Sequence, residues 1–154
     1  MDVESVKRFV KENGIEAEFI EHGSSDGLTS AGAAAATGAD ISNIIKVLCF
    51  VEGEKKSLVI IQGSKRVNGR AIPGMKKPRM ASADELKKLF GAEPGGVAAI
   101  GLPDEIPKVV DEGVARLPFV IGSGGSRFVG LKIKPGVIAA QPNTVVARVA
   151  QEGA

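Results

Sequence analysis

The chain has 154 residues, 44% apolar and 25% charged, with a net charge of +2. That length suits one domain with a real core, taken as residues 1–154, and so small a charge does not by itself imply nucleic-acid binding. Phe is the only aromatic type, which argues against the stacking platforms of many single-strand binders, and one His with one Cys excludes an internal disulfide and a zinc site of the usual Cys/His kind.

Met1 is followed at once by charged residues, with no apolar leader, and no apolar run reaches the length of a membrane span. A cytoplasmic protein with no metal and no membrane partner is expected. Residues 2–13 read as an amphipathic helix, with Val3, Val6, Phe9 and Val10 on one face and Asn13-Gly14 as the stop. Residues 16–21 suit a strand. His22 follows at a turn before a Gly/Ser-rich loop over 23–27, where an exposed loop histidine and a general base both fit the pattern. Thr29 can cap an alanine-rich helix over 30–36 that ends near Gly38, and Asp40 can cap a short turn.

The apolar run from Ile44 to Val51 reads as a buried strand, and a hairpin connection over 52–56 joins it to a partner strand over 57–62. Lys46 is the awkward residue in it, because burying an ammonium costs several kcal/mol unless it is paired or sits at a wet cleft. Either it lies near a strand end and snorkels to solvent, or it lines a pocket and meets an anionic or carbonyl group. Alternation places Lys46, Leu48 and Phe50 on one face and Val47 with Cys49 on the other, so Cys49 reads as a small buried hydrophobe rather than a partner for Lys46.

Asn68 can cap a short helix ended by Pro73-Gly74, and residues 78–80 read as a brief strand. Ser82-Ala83-Asp84-Glu85 is a capping box that opens a helix through Phe90, stopped by Gly91. Residues 65–88 carry eight Lys or Arg, among them Lys65, Arg66, Lys76, Lys77 and Arg79, against only Asp84 and Glu85. Such a segment can face phosphates or simply keep the surface solvated.

In the loop over 91–101, Pro94-Gly95-Gly96 can turn backbone N–H groups outward as an oxyanion nest. Short strands are expected over 108–111, 119–121, 129–133 and 144–149, with a helical turn over 135–140. Gly122-Ser123-Gly124-Gly125-Ser126 lacks the lysine and spacing of a Walker A loop, so an ATP-binding loop is rejected, while a glycine-rich hairpin whose backbone approaches a ligand stays open. The element order lacks βαβ repetition and fits an α+β fold, a mixed, mostly antiparallel sheet or open barrel with surrounding helices.

Several stretches together resemble the YbaK/ProX family, aminoacyl-tRNA deacylases related to the editing insertion of bacterial prolyl-tRNA synthetases. The carriers are residues 40–48, Lys65-Arg66-Val67-Asn68, residues 81–86, the loop over 91–101, Val109-Val110-Asp111 and Gly122-Ser123-Gly124-Gly125-Ser126-Arg127. The resemblance implies a trans-editing hydrolase that removes a small wrong amino acid, such as alanine or cysteine, from tRNA for proline. No cofactor is implied; the partners are the aminoacyl-tRNA acceptor end and an aminoacyl-tRNA synthetase. A non-catalytic tRNA- or synthetase-binding module on the same fold is the alternative.

By the same resemblance Lys46 matches the catalytic-site lysine and Gly95 the glycine of the Gly-x-x-Pro-Gly loop, with Gly96 beside it as a second backbone donor. Ser123 and Gly124 match the second glycine-rich loop, and Gly101 and Asp111 complete the expected substrate-side set, Asp111 in a supporting role. Lys65, Arg66, Lys76, Lys77 and Arg79 are the expected tRNA contacts. Three departures from the family pattern stand out: Val47 where Thr or Ser is common, Ala98-Ala99-Ile100 before Gly101, and Gly130 where some members carry aspartate.

Overall fold

A computed structural model describes residues 1–21 and 30–152. His22, the loop over 23–27 and the Thr29 cap lie outside the described residues.

Helix α1 (Val3–Glu12) is opened by a capping box between Asp2 and Ser5 and leads into strand β1 (Glu18–Glu21). Helix α2 (Ser30–Thr37) follows, then a 3-10 turn over Ile41–Asn43 capped by Asp40, as its side chain accepts from the Ser42 N–H. Strands β2 (Ile45–Glu52) and β3 (Lys55–Gln62) form a hairpin whose connection is only Gly53-Glu54. It is shorter than expected because Glu52 and Lys55 still pair across the ladder.

After a 3-10 turn at Gly69–Ala71 comes strand β4 (Arg79–Met80) and helix α3 (Ala83–Phe90). In α3 the Ser82/Glu85 capping box forms as expected, and Gly91 closes the helix in the left-handed region at φ 64°. Strand β5 (Lys108–Asp111) runs into helix α4 (Glu112–Ala115), a single turn the sequence pattern did not announce. Strands β6 (Val120–Ser126) and β7 (Val129–Ile133), helix α5 (Pro135–Ala139) and strand β8 (Thr144–Ala147) complete the chain.

The strands form two open sheets. One is antiparallel, in the order β1-β7-β6; the other has the order β4-β2-β3-β5-β8, antiparallel on the β4-β2-β3 side and parallel across β3-β5-β8. This is the expected mixed, mostly antiparallel α+β arrangement, and the sheets do not close into a barrel. The glycine-rich hairpin left open over 122–126 forms, and these residues extend the expected strand into β6, because β7 supplies hydrogen-bonded partners on both sides of a bulge between Ser123 and Ser126.

Strand β3 is apolar on both faces for a physical reason. Ile60 joins Val6, Val110, Leu131 and Ile133 in a core that unites the two sheets, while Val59 and Ile61 pack with Phe50, Ile72 and Met75 on the opposite side. Leu58, Val59, Ile60 and Ile61 are all fully buried, each contributing about 1.5–3 kcal/mol. The sheets meet where Ile44 bridges Ile121. Gly122 lets them come so close: a Cβ there would sit 3.0 Å from Ile45 Cγ1.

Candidate active site

A cleft of about 220 Å³ opens at this junction. Residues 44–48 of the chain form one wall and Ile121, Gly122 and Ser123 another, with Ala33 and Thr37 of α2 and the Pro94-Gly95 turn at its margins. Lys46, Gly95 and Ser123, which are far apart in sequence, thus meet in one cleft.

Lys46 is half-buried, because its strand starts at the sheet junction. Its ammonium makes no hydrogen bond or ion pair among the described residues. Burial first, and then the nearby Arg66 charge, holds its pKa below the usual lysine value. Arg127, on the turn between β6 and β7, also lines the cleft and has no carboxylate partner among the described residues. None of the described lining residues is Asp, Glu or His. The result is a cationic cleft with no internal counter-charge among its described lining residues, which favours an anion electrostatically.

Gly95 occupies the third position of a turn over 93–96, closed by the Gly96 N–H donating to the Glu93 carbonyl at 2.8 Å. Its φ of 81° is what a type II turn demands at this position, with Pro94 before it. The Gly95 N–H has no acceptor among the described residues and so remains able to donate. Gly96 is a correction to the expected donor pair: its N–H closes the turn, and the residue is buried outside the lining.

Ser123 lines the cleft, but its hydroxyl already donates to the Ser126 carbonyl at 3.2 Å and accepts from the Gly125 N–H at 3.1 Å. It shapes the bulge and keeps spare accepting capacity only. Gly124 is buried beneath, where a Cβ would press on Val129 and Phe19. Gly101 lies against Phe9 of α1, at another hollow. Asp111 is also away from the cleft. Its carboxylate accepts from the N–H groups of Gly113, Val149 and Ala150, so it ties α4 and the segment after β8 to β5.

The basic segment divides. Arg66 stands near enough to Lys46 to act on it electrostatically. Lys65 is half-buried one residue earlier. Lys76 and Lys77 instead present their backbone N–H groups to the Glu52 carboxylate, at the far end of β2. Six residues of strand, about 20 Å, separate Glu52 from Lys46. Arg79 is held in a two-point pair with Glu85, at 2.7 and 3.1 Å, which pulls the Glu85 pKa down to about 2.

Sequence reasoning missed Arg127 and Thr37 as lining residues, and it turned Val47 away from a cleft it helps to line. The signal for Arg127 was present in the run Gly124-Gly125-Ser126-Arg127, a cation carried by a glycine-rich hairpin. Cys49 is buried as expected, and burial pushes its thiol pKa up. Among the described residues no three His, Cys, Asp or Glu side chains cluster as metal ligands, and no helix is long and apolar enough to cross a membrane.

A family model described as an aminoacyl-tRNA editing domain matches residues 24–138. The chain belongs to this family. It is 30% identical over 110 residues to the proline–tRNA ligase of Limosilactobacillus fermentum, and 34% identical over 84 residues to that of Lactobacillus gasseri. These matches cover 66% and 52% of the chain but only 19% and 15% of the ligases, so it spans less than a fifth of the curated relatives it matches. Among solved structures, a hypothetical protein superposes with a TM-score of 0.86 at 30% identity, over 96% of this chain and 99% of that one. A second, provisionally described as a trans-editing enzyme for prolyl tRNA synthetase, superposes with a TM-score of 0.85 at 25% identity, over 97% and 96%.

Proposed function

We propose that this editing-family chain hydrolyses the ester of mischarged aminoacyl-tRNA in trans, acting on tRNA for proline that carries a small wrong amino acid such as alanine or cysteine. The observation that carries the reading is the meeting of Lys46 and the unpaired Gly95 N–H in one cationic cleft. The proline assignment leans on the ligase relatives and on the neighbour described as a trans-editing enzyme.

An aminoacyl ester is already activated, so the protein needs chiefly to hold it and stabilise the oxyanion that forms when water attacks. Gly95 N–H is the hydrogen-bond donor for that oxygen, and the Lys46 ammonium adds positive charge beside it. A neighbouring ribose hydroxyl of the terminal adenosine can assist the attacking water, which suits a cleft whose described lining offers no carboxylate or imidazole base. The partners are the acceptor end of the tRNA and an aminoacyl-tRNA synthetase, met in the cytoplasm.

The test is a deacylation panel of tRNA for proline charged with alanine, cysteine, serine and proline. Release of alanine or cysteine with proline spared is the expected result. Binding of tRNA without hydrolysis of any member would favour the non-catalytic module.

A further inference from the structure

The turn between β6 and β7 breaks a local rule. Ser126 pairs with Val129, so Arg127 and Phe128 are the whole of a two-residue hairpin connection. Such connections favour Gly, Asn or Asp, because their usual turn types need positive φ. Neither Arg127 nor Phe128 has a positive φ. The twist is taken up next door instead, by Gly125 at φ 107° and by the bulge between Ser123 and Ser126. Gly125 is irreplaceable in this role, since a Cβ would lie 2.6 Å from the Asp2 backbone. The hairpin is thus arranged to carry two large side chains at its tip, and local rules are broken most often where function requires it.

Those side chains are an arginine and an aromatic. Arg127 lines the cleft, and its guanidinium lies 5.3 Å from the centre of the Phe128 ring, covering one face of it. Phe128 is 42% exposed, the one phenylalanine among the exposed large hydrophobic residues described. Its backbone is held in place by the Ser126 hydroxyl, which accepts from the Phe128 N–H at 3.1 Å. An exposed ring backed by an unpaired cation, at the rim of a cationic cleft, matches the chemistry of a single-stranded nucleotide: a flat base beside a phosphate.

We propose that the Arg127–Phe128 turn grips the RNA strand just outside the cleft. Phe128 stacks on the base of the nucleotide preceding the 3′-terminal one, and Arg127 neutralises the phosphate that joins the two. The inference rests on the proposed function only for the direction of the strand, with its 3′ end in the cleft. The scarcity of aromatics in the sequence argued against stacking, but one ring at the cleft rim is enough for one base.

The test is a binding titration of the full chain with a 5′-fluorescein RNA hairpin ending in unpaired ACCA, followed by anisotropy across a range of salt. Phe128→Ala is expected to weaken binding about tenfold, and Phe128→Trp to keep it. Removing the base of the penultimate nucleotide should cost the wild type a similar factor and cost Phe128→Ala nothing further. Arg127→Gln should reduce the slope of log affinity against log salt by about one. Unchanged affinity in Phe128→Ala, or additive losses with the abasic strand, would overturn the stacking contact; an unchanged slope would overturn the phosphate contact. Thermal unfolding of each variant checks that these exposed substitutions leave the fold intact. Deacylation is scored separately: hydrolysis by a wild type whose variants bind normally ends this inference alone, and RNA gripped as described without hydrolysis ends the editing reading alone.

Discussion

Arg66 stands close enough to Lys46 to add to the effect of burial, one cation further lowering the proton affinity of another, and no carboxylate among the described residues pairs with either. Two cations so close favour an anion between or beside them. A phosphate or an oxyanion bound there would offset both the burial of the Lys46 ammonium and the repulsion from Arg66.

The first consequence is a pH dependence. The folded-state pKa of Lys46 lies below its ordinary value of 10.5. Between the two values the unfolded chain binds more protons than the native one, so the Lys46 contribution to stability rises with pH across that window. Anion binding runs the other way, because it needs the ammonium form. RNA affinity and deacylation should decline at a pH below the ordinary lysine range, and Lys46→Arg should move the alkaline limb of binding upward. A limb unmoved by that substitution would assign it to another group.

The Gly95 turn makes a separate prediction. Ala at φ 81° costs about 1–2 kcal/mol in backbone strain, and relieving that strain swings the Gly95 N–H away from the cleft. Loss of one oxyanion donor lowers turnover about 100-fold or more. Gly95→Ala should thus show a much larger loss in deacylation rate than in RNA affinity. Equal losses in both would make Gly95 a packing residue.

Asp111 is expected to matter for stability and not for chemistry. Asn in its place keeps the shape but loses the charge that three backbone N–H groups share, at a cost of about 2–3 kcal/mol. For a chain of this size that is a fall in melting temperature of roughly 5–10 °C. The deacylation rate of the folded variant, measured well below its melting point, should stay close to wild type.

The division of the basic segment predicts unequal effects on RNA binding. Arg66→Ala removes a cation beside the cleft, and should lower the salt slope by about one. Arg79→Ala removes a cation already neutralised by Glu85, and should change the slope little. Lys76→Ala with Lys77→Ala tests whether the strand's double-helical stem reaches the far end of β2. A full-length stem that binds both forms alike would show that it does not reach.

Much of this arrangement was legible because it is local. The Ser82/Glu85 box, the Asn68 cap and the alternation along β2 each depend on residues within a few positions of one another. The parallel pairing of β3, β5 and β8 was not legible, since it joins strands separated by long connections and leaves no pattern in any one of them. That the strand runs on through residues 122–126 of the glycine-rich hairpin was missed for a related reason. Glycine weakens a strand on its own, and here β7 and the close approach of Ile45 and Asp2 decide the matter. Lys46 and Gly95 could be singled out from sequence, one as a charge in an apolar run and the other as a turn glycine. Arg127 left a fainter signal, a cation after a glycine-rich run, and only the folded hairpin brings it to the cleft.

The central claim is that Lys46 takes part in hydrolysis and does not merely bind RNA. It is tested most directly by single-turnover deacylation of alanine-charged tRNA for proline with saturating wild type and saturating Lys46→Ala. The account predicts a rate at least about 100-fold lower for the variant, with its melting temperature unchanged. Wild-type turnover by Lys46→Ala would contradict it.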